Sequence, residues 1–483
     1  MTFQTLQLWR NAPGTFSSSI AMLKTQDILL FIDLPLIALL LRKPLLHYRS
    51  NITACIITIV TGLFLFSVKP VINNYSSKPW WSPESPYENA VNWGAIGFHL
   101  IDTYKALADK KFLTLSNAQK DSVAAWLQSN RMRNHSNNFS DFYFAKAQGK
   151  NIIIIQCESM GGFVINNKYK GNEITPNLNS LITTSMYFND YHSQNKYGGS
   201  ADAEFILYTS LYPIAAGSVF FRFPAFSDLA ALPLLLKRKG YSTAVMHDNV
   251  KSFWNRGLAY QHLGIDSFFD RRDIAALSAS NHLDSLSSDD KLFRCALIKL
   301  QTQPQPFFFQ IITIDTHLAT DTKNVDQYLD KVSRLDQILG TFFTALKNAG
   351  LYDKTIIVVY GDHPPYINVP DLIKEDSSYS WMKYSGRLVP MIIHVPGLEA
   401  TTISTIGGQI DAYPTIAHLL GLEPESYSKT IMGHNLLSGE KGFVVHWPGN
   451  YLGDIPSDSN EYQMRLQGYH ISNLIIRGSY FGK

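Results

Sequence analysis

From position 151 onward the chain sets short unbroken apolar runs between amphipathic stretches. NIIIIQ (151–156), STAVMH (242–247), FFFQIIT (307–313), TIIVVY (355–360) and VPMIIH (389–394) lack the polar–apolar alternation of a strand with one wet face. Continuous runs of this length suit strands buried on both sides, as in a parallel sheet covered by helices. Between them, 229–239 and 325–349 read as helices and stop at Gly240 and Gly350. The strand–helix–strand order predicts an α/β domain over 150–440. Its central sheet is mostly parallel, with helices on both faces. Residues 441–483 are expected to be a C-terminal extension.

Upstream the pattern differs. Residues 28–41 (ILLFIDLPLIALLL) and 52–68 (ITACIITIVTGLFLFSV) are apolar. A membrane-spanning helix needs about 17–25 such residues. The second run meets the lower bound; the first is shorter and carries Asp33 and Pro35. The loop between them holds Arg42, Lys43 and Arg49, and positive residues favour the cytoplasmic side. About two transmembrane helices are therefore expected over 1–70. The remainder would lie outside the bacterial cytoplasmic membrane. Residues 71–149 read as a linker and helical stalk, with helices over 92–104 and 117–128 and a polar, Asn-rich linker over 131–140.

Composition sharpens this picture. Hydrophobic residues make up 45% and charged residues 17%, whereas a soluble domain carries about a quarter charged residues. The deficit fits a large core, a membrane part, or both. Net charge is +3 and no basic run occurs, so nothing favours a nucleic-acid partner. Cys55, Cys157 and Cys295 are too few and too far apart for a disulfide framework or a CxxC metal knuckle.

The candidate chemistry follows the strand ends, where ligands sit in open α/β sheets. Glu158 and Ser159 follow the first run, and His247 and Asp248 close the second. Asp315 and His317 come after the third, Asp362 and His363 after the fourth. A lone acid after a strand is usually a cap or turn residue; four strands delivering metal-ligand types to one rim point to a site. Ser200 follows Gly198-Gly199 and opens a helical run. Taken alone it reads first as a helix cap. The same position also suits a nucleophile that receives a phosphate at a helix N-terminus.

QCES, GGSADAEF, HDNVKSFWNR, DTH and YGDH, in this order and at these separations, resemble the lipoteichoic acid synthase family of phosphoglycerol transferases, in the alkaline phosphatase/sulfatase superfamily. The resemblance covers roughly 152–421. It implies a divalent metal held by Glu158, Asp362, His363 and the Ser200 hydroxyl, with Mn²⁺ first and Mg²⁺ or Zn²⁺ as alternatives. It also implies substrate contacts from His247, Trp254, Arg256 and His317, with Ser200 as nucleophile and His317 moving the proton. The donor would be a phosphatidylglycerol-like lipid. The acceptor would be an envelope glycolipid, a polyglycerolphosphate chain or a glucan. Asp248 and Asp315 are expected to orient the histidines. Two departures stand out: the family often has Thr at the nucleophile position, and it usually carries about five membrane helices. A formylglycine sulfatase is disfavoured, because Ser200 is followed by Ala-Asp-Ala-Glu rather than x-P-x-R. The alternatives on the same fold are a phosphoethanolamine transferase and a phosphodiesterase- or sulfatase-type hydrolase. A catalytically inactive lipid- or polymer-binding membrane protein is the alternative outside enzymes.

Overall fold

The computed structural model describes residues 112–482 apart from 137–141, 197, 215–216, 226–228, 318–324, 368, 383–385, 440–441 and 448, together with 97–98, 100–101 and 103–104. The chain divides into two compact units, Met1–Lys110 and Lys111–Lys483. In the first unit the few described residues are helical. The expected membrane helices over 1–70, and Asp33 with them, lie outside the described residues. Among the described residues no helix is long and apolar enough to cross a membrane.

The second unit is built on an eight-stranded sheet. In chain order its strands are β1 (Asn151–Cys157), β2 (Met186–Phe188), β3 (Ser242–His247), β4 (Ser267–Phe269), β5 (Phe307–Ile312), β6 (Thr355–Gly361), β7 (Met391–His394) and β8 (Thr401–Ile403). Across the sheet they run β8-β2-β7-β6-β1-β5-β3-β4. The segment β6-β1-β5-β3-β4 is parallel throughout. Strand β7 is antiparallel to both of its neighbours, while β8 and β2 are parallel. The sheet is thus mostly parallel, as the apolar runs predict. The fifth run begins its strand at Met391, past Pro390, which has no N–H to give a ladder. Strands β2, β4 and β8 have three residues each, too few to show a period.

Both faces of the sheet are covered. Ile152 and Ile154 belong to one core cluster, Ile153, Ile155 and Cys157 to the other, and all five are fully buried. Complete burial of an isoleucine is worth about 1.5–3 kcal/mol relative to exposure, so β1 is a main contributor to the core. The first face carries α1 (Asn117–Ser136), α2 (Ser200–Thr209), α3 (Arg256–Leu263), α6 (Ala412–Leu419) and α7 (Gly468–Arg477). The opposite face carries α4 (Ser288–Leu300) and α5 (Val325–Asn348).

Helix α1 runs on to Ser136, into the stretch read as linker. Packing overrides its polar composition: Val123, Trp126, Leu127 and Asn130 are buried. Trp126 Nε1 donates to the Met464 carbonyl at 2.7 Å, and Asn130 Nδ2 to that of Ile431 at 3.3 Å. Tertiary contacts of this kind, more than propensity, stabilise most helices in proteins.

Candidate metal and phosphoryl-transfer site

The carboxyl ends of β1 and β6 lie side by side, since these strands pair in register from Asn151–Thr355 to Cys157–Gly361. Their next residues, Glu158 and Asp362, are therefore neighbours. The approach is close enough to need glycine at 361, where a Cβ would sit 2.3 Å from the Met160 carbonyl oxygen. The surrounding loops hold both acids in place. Glu158 N donates to Thr313 Oγ1 at 2.9 Å, and Thr316 Oγ1 donates to the Glu158 carbonyl at 2.5 Å. Asp362 Oδ1 accepts from the backbone of Ser159 at 2.8 Å and of His363 at 2.7 Å. Gln409 Nε2 donates to the Asp362 carbonyl at 2.7 Å.

Glu158, Asp362 and His363 are buried and offer ligand atoms within 4.8 Å of one another. His363 Nε2 lies 3.5 Å from Glu158 Oε1 and 3.8 Å from Asp362 Oδ2. His363 Nδ1 is 3.0 Å from the Pro364 carbonyl, which leaves Nε2 facing the acids; burial lowers the imidazole, but the Asp362 and Glu158 charges outweigh it and raise the group. Asp362 Oδ2 is buried without a hydrogen-bond partner. Burial, then the Glu158 charge, pushes the Asp362 carboxyl up to about 7. Burial also pushes Glu158 up, but His363, His317 and the Ser200 and Ser159 hydroxyls outweigh it and hold the group below its usual range. An orphaned buried carboxylate oxygen is costly. Two carboxylates and one imidazole around it fit a hard divalent cation such as Mn²⁺ or Mg²⁺, with Zn²⁺ suited by the histidine.

Ser200 faces this cluster. It is the first residue of α2, and Gly199, at φ 52° and ψ −128°, takes the N-cap position. Ser200 is therefore not the helix cap. Its Oγ donates instead to Glu158 Oε2 at 2.7 Å, while Ser159 Oγ donates to Oε1 at 2.8 Å. The loop before it is fixed by Asp202, whose Oδ2 accepts from Lys196 N at 3.1 Å and Gly198 N at 2.8 Å. A Cβ on residue 198 would lie 2.0 Å from Asp202 Oδ1. Burial lifts the Asp202 carboxyl to about 7 against these donors.

His247, at the end of β3, is 4% exposed, with Nδ1 2.9 Å from the Ile312 carbonyl. Burial, then the Arg256 charge, lowers it to about 3, so at neutral pH its free Nε2 can only accept. Trp254 is half-buried, packs against the core and meets Phe221 edge-on at 5.8 Å. Trp254 and Asn255 both have positive φ, 54° and 57°, an uncommon pair for residues with side chains. The turn they make delivers Arg256 to the interior, where it is 1% exposed. Its Nε sits 3.1 Å from both Glu204 oxygens and its Nη2 2.6 Å from Oε1; the Tyr260 hydroxyl also donates to Glu204. Most of the Arg256 fork, expected to contact substrate, is thus committed to Glu204. What remains is Nη1, buried and without a partner. Glu204→Gln is expected to destabilise the fold by on the order of 3 kcal/mol, because it strands a buried cation. Urea denaturation checks this, and a loss under about 1 kcal/mol would contradict it.

His317 lies in the turn after β5 and is exposed. Its charge still reaches Glu158 and helps to hold that carboxyl low. The two acids expected to orient histidines do other work. Asp248 accepts from Arg271 Nε at 3.3 Å, and Asp315 Oδ2 accepts from Asp289 N at 3.0 Å. Asp289 in turn accepts from the backbone of Ile314 and Asp315 at 2.8 and 3.1 Å, pinning the His317 turn to α4. The sequence pattern marked Ser159 only as a strand-end residue and gave no role to Glu204 or Asp289. Glu204 had a signal: the run ADAEFILYT is buried at every position, and its apolar composition leaves an acid no wet side to face.

A parallel sheet whose strand ends gather two acids and a histidine around a hydroxyl at a helix start is a site of the alkaline phosphatase/sulfatase type. Residues 150–422 match the family model described as Sulfatase, and residues 1–113 match that of the lipoteichoic acid synthase N-terminal domain. Lipoteichoic acid synthase 1 of Bacillus subtilis (strain 168) is 30% identical over 463 residues, covering 88% of this chain and 70% of that protein. Lipoteichoic acid synthase 2 of the same organism is 33% identical over 374 residues, covering 72% of this chain. The chain spans 56% of that second relative's length. The crystal structure of the lipoteichoic acid synthase LtaP from Listeria monocytogenes superposes with a TM-score of 0.64 at 25% identity, covering 73% of this chain and 98% of that one. The chain belongs to the lipoteichoic acid synthase family, within the sulfatase superfamily.

Proposed function

We propose that the protein is a metal-dependent phosphoglycerol transferase of the cell envelope, anchored in the bacterial cytoplasmic membrane with Lys111–Lys483 outside. It moves glycerophosphate from a phosphatidylglycerol-like lipid to an envelope acceptor through a covalent intermediate on Ser200. The observation that carries this reading is the 2.7 Å hydrogen bond from Ser200 Oγ into the Glu158–Asp362–His363 cluster.

When bound by Glu158, Asp362, His363 and the Ser200 hydroxyl, the divalent ion would favour the serine alkoxide and offset phosphoryl charge. Ser200 Oγ, releasing its proton towards Glu158 Oε2, bonds to the lipid phosphorus. The bond from phosphorus to the diacylglycerol oxygen breaks, and that oxygen takes a proton from His317. An acceptor hydroxyl then gives its proton to His317, bonds to the same phosphorus and displaces Ser200 Oγ, which regains its proton. Arg256 Nη1 suits a phosphate oxygen, held in one place by the Glu204 pair. Neutral His247 suits a glycerol hydroxyl as an acceptor, and Trp254 offers an apolar face to the glycerol carbons.

The test is the full chain in vesicles containing phosphatidylglycerol labelled in its head group, with Mn²⁺ and a glycolipid acceptor. The expected result is one diacylglycerol released per labelled glycerophosphate gained by the acceptor. Label appearing only as free glycerophosphate would identify a hydrolase. Transfer from phosphatidylethanolamine instead would identify the other head-group specificity. No release from either lipid would leave a binding protein.

A further inference from the structure

The sheet face beneath α2 is apolar except at its centre. Gln156, Gln310 and Tyr360 occupy one face of β1, β5 and β6 among Ile152, Ile154, Phe308, Ile312, Ile356 and Val358. Gln156 pairs laterally with Tyr360, and Gln310 with Ile154, one step back on the same face. All three are essentially inaccessible to solvent. Burying such groups costs free energy unless every one is hydrogen-bonded, so a network here is either complete or a liability. It is complete. Gln156 Oε1 accepts from Tyr360 Oη at 2.5 Å and from Gln310 Nε2 at 3.0 Å. Gln310 Oε1 accepts from the Tyr208 hydroxyl. With its oxygen held by two donors, the Gln156 amide has one orientation, and its Nε2 donates to the backbone carbonyl of Ser200 at 3.2 Å.

We propose that Gln156 is a positioning residue for Ser200, fixing the first peptide of α2 so that Oγ is presented to Glu158 and the reacting phosphorus. This rests on the reading of Ser200 as the nucleophile. The same strand therefore supplies both sides of the reaction geometry. Gln156 sets the position of the hydroxyl, and Glu158, two residues on, accepts its proton. The rest of the network orients Gln156 and does not touch Ser200. An apolar residue at 156 would pack against the same neighbours and leave α2 attached, through Tyr208 and its buried apolar face, but without a fixed first turn. A nucleophile displaced by about 1 Å can lose on the order of 10²-fold in rate.

The experiment compares Gln156→Met and Gln310→Met in the full chain. It measures kcat and KM for glycerophosphate transfer, bound metal, and melting temperature. Both substitutions break the buried network, so both should melt a few degrees lower. Gln156→Met should lose about 10–100-fold in kcat with KM and metal content unchanged. Gln310→Met, which leaves the Gln156–Ser200 contact and the Tyr360 donor in place, should lose only several-fold in kcat. If Gln156→Met does not fold, Tyr360→Phe, which removes one of the two donors fixing the Gln156 amide, carries the test. It should lower kcat several-fold at constant KM. Wild-type kcat in Gln156→Met, or in Tyr360→Phe in its place, overturns the proposal. So does a loss of kcat in Gln310→Met that matches that of Gln156→Met. Ser200→Ala, run alongside, separates the two levels. An active Ser200→Ala enzyme removes the nucleophile itself, whereas an inactive one beside a fully active Gln156→Met enzyme removes only the positioning role.

Discussion

The Ser200→Ala enzyme is expected to release diacylglycerol at least about 10³ times more slowly than the natural protein, with its fold and bound metal retained. The size follows from what the substitution removes. Ser200 Oγ is the hydroxyl directed at Glu158 Oε2 at 2.7 Å, among buried acids, while Ser159 points to Oε1. Without a covalent route, lipid cleavage must use water held by the same cluster, and the residual rate would reflect binding and electrostatics alone. The metal should stay, because Glu158, Asp362 and His363 are untouched. The fold should stay because Gly199, not Ser200, occupies the cap position of α2, so no helix cap is lost. Ser200→Thr restores a hydroxyl at the same atom and is expected to hold activity within about tenfold of wild type. Release of labelled diacylglycerol, with metal content measured on the same samples, checks all three statements. Activity of the alanine enzyme within tenfold of wild type would mean the nucleophile is elsewhere.

The sequence was most informative where a physical demand acts on consecutive residues. NIIIIQ has to be a strand buried on both faces, and β1 is one. The acids and imidazole that follow such runs then fall on one rim because parallel strands end on one side, which is why Glu158, Asp362 and His363 could be picked out and do meet. Demands that act across the fold left no such trace. Three-residue strands such as β2 and β8 have no period to read. The Asn-rich end of α1 is helical only because Trp126 and Asn130 reach partners more than 300 positions away. Asp248 and Asp315 follow strands as ligand-type residues do, yet they bind Arg271 and the start of α4. A strand end brings a residue to the rim but does not fix which neighbour its side chain takes. Arg256 shows the same limit. Its presence near the site was legible, but its partner Glu204 lies 52 positions earlier in a helix, and the pairing decides which of its nitrogens is left for phosphate.

Removing divalent ions is expected to abolish transfer and to lower the melting temperature. Asp362→Asn is expected to do both irreversibly, whatever the metal concentration. The carboxylate oxygen Asp362 Oδ2 is buried without a well-formed hydrogen bond, and Glu158 and His363 lie beside it. Burial, then the Glu158 charge, lifts the Asp362 carboxyl to about 7. A divalent cation reverses that balance by supplying the missing partner, so it must compete with the proton on Asp362. Apparent metal affinity should therefore rise as pH increases through about 7 and weaken below it, in the sense set by a carboxyl that is protonated on the acid side. At free metal about 100-fold above Kd, binding to the folded state alone adds about 2.7 kcal/mol of stability, enough to appear as a clear shift in melting temperature. Asp362→Asn keeps the volume of the side chain and an oxygen, but loses the charge that makes the oxygen a strong ligand for Mn²⁺ or Mg²⁺. It should also be more stable than the metal-free natural protein above pH 7, where the natural carboxylate is charged, buried and beside the Glu158 charge. Isothermal titration with MnCl₂ across pH 6–8, paired with melting curves of both proteins with and without chelator, reads each of these effects. If chelator leaves transfer and melting temperature unchanged while Asp362→Asn remains active, the three buried ligand groups serve the fold alone and the chemistry assigned to Ser200 loses its source of activation.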